Sequence, residues 1–251
     1  MKEVKVLILK TAGTNCDRET AYAFSHLGAN VEILHINRLK EMPSMLLSYN
    51  ILCIAGGFSY GDDISAGRVL AMELNLFFRQ QVEKLVKSGG LVIGICNGFQ
   101  VLVKAGLLPG LGKGYEASLI ENTSGCFIDK WCDLEVPESR CIWTKALQGR
   151  EISMPVAHAE GRFVASENTI EKLKNNGQIA FAYIDNPNGS FESIAGICDT
   201  TGRILGLMPH PERASFQYQL PEKANSAPDV QMPPLEIFKT GIDAAAGAVV
   251  I

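Results

Sequence analysis

Hydrophobic and polar positions divide this chain into short apolar runs separated by stretches of helical spacing. Residues 4–9, 31–36, 51–55 and 91–95 are runs rich in Val, Leu and Ile, the signature of strands buried on both faces of a parallel sheet. Between them the period lengthens. Residues 18–27 read as a helix ending at Gly28, a natural C′ residue, with Asn15 or Asp17 placed to cap its start. A Met- and Leu-bearing helical segment follows the second run. Residues 68–87 predict one long amphipathic helix with Phe77 and Phe78 both turned inward, and residues 99–105 another helix directly after the fourth run.

This alternation predicts an α/β fold, a doubly wound, mostly parallel sheet flanked by helices, whose ligands collect beyond the carboxyl ends of the strands. Farther along, residues 116–120, 126–136, 152–157 and 179–184 predict strands, and residues 166–176 a capped helix. Residues 194–198 and 203–208 flank Asp199-Thr200-Thr201-Gly202 and predict a hairpin. Trp131 and Trp143 are expected to serve packing. Residues 216–234 are polar with four prolines and predict an exposed loop before a helix from Leu235; the loop is a candidate partner contact or an ordinary flexible excursion.

Composition narrows the classes. A chain of 251 residues with 47% hydrophobic content can bury a full core, and it is expected to form one domain over 1–251. The net charge of −4 comes without a basic stripe, which argues against a nucleic-acid binder. No apolar run is long enough to span a bilayer and no signal-peptide core is evident, so a cytoplasmic protein without membrane contact is expected. The seven cysteines have scattered spacing, as reduced thiols would. Cys126, Cys132 and Cys141 form no paired CxxC set with histidines, so no zinc site is expected.

Gly94-Ile95-Cys96-Asn97-Gly98 turns the fourth run into the following helix. A reactive side chain on such a strand-to-helix elbow needs small residues two before and two after it, so that strand and helix can pass closely. Its place at a helix N-terminus favours a thiolate, and the Asn97 N–H can face an oxyanion. A lone Cys after an apolar strand is also a common inert core residue. Downstream, Pro209-His210-Pro211-Glu212 offers a base and a group to orient it; on an extended segment stiffened by the prolines the two side chains would share a side. Gly56-Gly57 ends the third run, where a backbone N–H can approach a substrate or simply make a tight turn. His158 and Glu160 beside Gly161 admit either an acid–base or a structural reading.

These segments together carry a resemblance. Gly-Ile-Cys-Asn-Gly-Phe-Gln (94–100) and Met-Pro-His-Pro-Glu-Arg (208–213), with residues 14–19, 56–62, 122–127, 155–163 and 186–196, resemble the class I, or triad, glutamine amidotransferases. Within them the likeness is to glutaminase subunits of phosphoribosylformylglycinamidine synthase, of purine biosynthesis. The resemblance implies a flavodoxin-like amidotransferase fold and glutamine hydrolysis by Cys96, His210 and Glu212. It further implies an oxyanion hole from Gly57 and Asn97, and glutamine contacts from Phe58, Gln100 and His158. No metal or cofactor is implied in this subunit. ATP and magnesium would be used by a partner synthetase, accompanied by a small accessory subunit, and this chain has no Walker-type loop of its own. Asp63-Ile64-Ser65 departs from the bulkier residues of many relatives, which bears on local substrate or partner contacts. An amidotransferase of another pathway and a noncatalytic organising subunit are the alternatives.

Overall fold

The structure, a computed structural model, describes residues 3–110, 115–221 and 230–247. Eleven strands occur among them: β1 (Lys5–Lys10), β2 (Asn30–His35), β3 (Ile51–Ile54), β4 (Leu91–Ile95), β5 (Ala117–Ile120), β6 (Ile128–Glu135), β7 (Glu151–His158), β8 (Arg162–Ala165), β9 (Ile179–Tyr183), β10 (Ile194–Cys198) and β11 (Ile204–Leu207). Nine form one sheet in the order β2-β1-β3-β4-β11-β10-β9-β6-β7, while β5 and β8 pair separately.

The sheet has two halves of different character. From β2 to β11 every pairing is parallel, with Ile54 opposite Gly94 and Gly94 opposite Gly206. From β11 to β7 every pairing is antiparallel. The parallel strands β3, β4 and β11 are buried at every residue, which is why they read as unbroken apolar runs. β7 alternates burial along its length, as a strand with one wetter face must.

Helices α1 (Asp17–His26), α2 (Ile36–Glu41), α3 (Arg68–Glu73), α4 (Arg79–Lys87), α5 (Asn97–Lys104), α6 (Glu167–Asn175) and α7 (Leu235–Ala245) complete the fold. Ser166 caps α6 by accepting from the Thr169 N–H at 3.2 Å. Helix α1 differs from expectation, because its N-cap is Cys16 and no side chain caps it. Asn15 Oδ1 accepts from the Cys16 thiol instead, and Asp17 takes the Lys10 ammonium.

The expected single helix over 68–87 carries a π-helical turn at Leu74–Phe78 between α3 and α4. The extra residue rotates the face beyond it, so adjacent phenylalanines part company: Phe78 is fully buried, whereas Phe77 is exposed beneath the Lys40 ammonium. Trp143 lies in the core, donating to the Arg203 carbonyl at 3.1 Å, and Trp131 packs on the core from its edge. The expectation of an exposed loop from residue 216 also changes. Phe216 is buried, bridged to Gln231, and stacks with Tyr218. The middle of that stretch, residues 222–229, lies outside the described residues.

Candidate active site

The site forms where β3, β4 and β11 end together at their carboxyl edge. Cys96 joins β4 to α5 at φ +50° and ψ −104°, outside the regions that side chains ordinarily adopt. What holds it there is close packing. A Cβ at Gly98 would lie 1.9 Å from the Ile54 carbonyl oxygen, and one at Gly94 2.5 Å from the Gly98 carbonyl oxygen. The Cys96 N–H is tied to the Leu207 carbonyl of β11 at 2.8 Å, and its thiol faces the Ala157 carbonyl at 3.7 Å.

β11 delivers the second component. His210 is anchored by its N–H to the Pro155 carbonyl at 2.9 Å, and Pro211–Arg213 form a 3₁₀ turn rather than the expected extended segment. That turn swings the Glu212 carboxylate back onto the imidazole, with His210 Nδ1 to Glu212 Oε1 at 2.5 Å and both side chains buried. Burial alone would push the His210 pKa down. The Glu212 charge, and after it that of Cys96, outweighs burial and holds the imidazole well above its usual range. His210 Nε2 and Glu212 Oε2 have no hydrogen-bond partner among the described residues.

A cavity of about 180 Å³ opens over these groups, lined by Cys96, His210, Gly57, Phe58, Cys16 and Arg213 among others. Gly57 sits at φ +141°, and a Cβ there would strike the Gly13 carbonyl oxygen at 2.6 Å; only glycine lets these two loops meet. Asn97 fastens the loop to α5: its Oδ1 accepts from the Ser59 N–H at 3.2 Å, and its Nδ2 donates to Asp62 and Gln100.

Two predicted contacts, Gln100 and His158, are not brought to the cavity wall. Gln100 is spent on Asn97 and the Glu160 carbonyl. His158 packs its ring against Gly161 and donates Nδ1–H to Asn122 Oδ1 at 3.0 Å. Burial, and behind it the charge of His210, pushes the His158 pKa down to about 4.

Comparison with known proteins gives the family. Residues 3–243 match the family of CobB/CobQ-like glutamine amidotransferase domains. The chain is 48% identical to phosphoribosylformylglycinamidine synthase subunit PurQ of Dehalococcoides mccartyi, over 85% of this chain and 86% of that one. It is 41% identical to the PurQ subunit of Archaeoglobus fulgidus, over 87% and 90%. The chain belongs to the glutamine amidotransferase family. A solved structure of PurLQS from Thermotoga maritima superposes with a TM-score of 0.76 at 30% identity, covering 96% of this chain and 98% of that one. A glutamine amidotransferase of Thermotoga maritima, at 17% identity and a TM-score of 0.54, shares the fold.

The cavity also contains residues to which the sequence motifs gave no role. Cys16 reaches it from the start of α1: its sulfur accepts from Arg213 Nη2 at 3.1 Å and lies 4.0 Å from His210 Nδ1. Burial pushes the Cys16 thiol up. Cys16, His210 and Glu212 are the one group of three among the described residues whose donor atoms could surround a metal ion, all within 4.8 Å of one another. The signal that could have found Cys16 was its position at the carboxyl end of β1, on the edge where ligands gather.

Proposed function

We propose that this chain is the glutaminase subunit of a phosphoribosylformylglycinamidine synthase. It hydrolyses glutamine to glutamate and ammonia, and the ammonia passes to a synthetase subunit that uses ATP to convert formylglycinamide ribonucleotide to its amidine. A small accessory subunit completes the assembly, which works in the cytoplasm; no described helix is long and apolar enough to cross a membrane. The observation that carries the reading is the strained Cys96 elbow opening onto the buried His210–Glu212 pair in one cavity. The relatives, subunits of that synthase by name, support the pathway.

The chemistry follows from the atoms. Cys96 adds its thiolate to the carboxamide carbon, and the N–H groups of Gly57 and Asn97 receive the charge that moves onto oxygen. His210, whose Nε2 is left free by the protein, gives its proton to the departing nitrogen; the C–N bond breaks and a thioester remains. Water, losing a proton to His210, attacks the thioester and releases glutamate, and the sulfur leaves as thiolate. Glu212 keeps Nδ1–H pointed at itself, so Nε2 faces the reaction. Glutamine enters past Phe58, which is 46% exposed at the rim.

The test combines labelling with activity. A glutamine-like electrophile should modify Cys96 and none of the other six cysteines, and Cys96→Ala should abolish glutamine-dependent but not ammonia-dependent synthesis by the assembled complex. Modification of Cys53 or Cys198 at equal rate, or surviving glutamine use in the variant, would refute the assignment. Amidine synthesis from formylglycinamide ribonucleotide decides the pathway against its alternatives.

A further inference from the structure

Cys16 has no part in the hydrolysis just described, yet it lies against the group that moves the protons. Its sulfur, His210 Nδ1 and a Glu212 carboxylate oxygen lie within 4.8 Å of one another. All three side chains are more than nine-tenths buried, and Glu212 Oε2 has no hydrogen-bond partner among the described residues. Thiolate, imidazole and carboxylate are the donor set of tetrahedral zinc, whose ligands stand about 3.5 Å apart. The sulfur-to-nitrogen separation is 4.0 Å and the nitrogen-to-oxygen separation 2.5 Å, so one closes by about half an ångström and the other opens by about one.

We infer that Cys16, His210 and Glu212 form an inhibitory binding site for a thiophilic divalent cation such as Zn²⁺. The ion takes the place of the proton held between Nδ1 and the carboxylate and displaces the proton of the thiol, so two protons leave as it binds. No oxidation or bond cleavage is involved. Cys16 and His210 both line the cavity, which gives the ion a path to its ligands without unfolding and leaves room for water as the fourth ligand. Two anionic ligands balance the ion's charge beside the Arg213 guanidinium. With a metal on Nδ1, His210 is pinned and Glu212 is withdrawn from orienting it, so glutamine hydrolysis stops. The inhibition rests on the proposed role of His210; the binding does not.

The experiment therefore reads binding first. In the full chain carrying Cys96→Ala and Cys126→Ser, which removes the elbow thiol and the exposed one, calorimetric titration with Zn²⁺ should show one ion per chain. Adding Cys16→Ala should weaken that binding by about 100-fold or more, and adding His210→Ala should do the same. Co²⁺ in place of Zn²⁺ should give a thiolate-to-metal charge-transfer band that disappears with Cys16→Ala. Thermal melting confirms that each variant is folded, and Cys16→Ser supplies a smaller perturbation if alanine is not tolerated. Micromolar Zn²⁺ should also block glutamine hydrolysis by the unaltered protein, with recovery on adding a chelator. Zn²⁺ binding indifferent to Cys16, or absent once Cys96 is removed, overturns the site. Binding as expected without inhibition leaves the site standing and removes the proposed role of His210.

Discussion

At the scale of single residues, the proposed chemistry divides between a group that transfers protons and one that holds it in place. His210→Ala should lower glutamine hydrolysis by about 10³-fold, Glu212→Gln by less, and the double variant by little more than His210→Ala alone. Steady-state kinetics on the assembled complex checks the ranking; the reverse order would assign proton transfer elsewhere. His158 offers a pH-dependent prediction of a different kind. The unfolded chain protonates this residue near pH 6.5, whereas the folded chain refuses the proton until about pH 4. Stability should therefore fall as pH drops through that window and level off below it. At about 1.4 kcal/mol per pH unit the loss approaches roughly 3 kcal/mol. Urea unfolding at pH 7 and pH 4.5 should show the slope in the unaltered protein and a shallower one in His158→Gln.

At the scale of elements, the elbow depends on how closely β3, β4 and α5 approach. Gly98→Ala would drive a methyl into the Ile54 carbonyl, a backbone atom in the middle of the parallel half. The cost should be at least about 3 kcal/mol, a fall in melting temperature of about 10 °C, with hydrolysis lost even where the protein still folds. A scanning-calorimetry trace close to that of the unaltered protein would show that the crossing is looser than described. This element was legible in the sequence because burial on both faces leaves an unbroken apolar run, and because the glycines stand at fixed offsets from Cys96. Phe77 and Phe78 were not legible: the π turn that separates them answers to packing around α3 and α4, and a period of 3.6 residues carries no trace of it. The 3₁₀ turn at Pro211–Arg213 was hidden for a related reason, since proline suits the start of a turn as well as an extended strand. Cys16 was the larger omission. Its closeness to His210 comes from α1 and β11 reaching the same sheet edge, a relation no local pattern records.

At the scale of the whole molecule, the cavity rim is built from loops of several elements, with Phe58 and Phe127 exposed beside it. Under the proposed function, docking of a synthetase there would tighten the oxyanion site without touching the buried pair. The isolated chain should hydrolyse glutamine weakly and gain about 100-fold when the synthetase, its nucleotide and its acceptor substrate are added. Ammonia release measured with and without the partner checks this; a lone chain already at full speed would end the idea. The sheet order has one more consequence. Cys96 and His210 follow adjacent strands, β4 and β11, yet β11 is made over a hundred residues later and inserts between β4 and β10. A nascent chain not yet extended to residue 210, or a fragment broken before β11, possesses the thiol and lacks the imidazole, so under the proposed mechanism incomplete copies of this protein should leave glutamine intact.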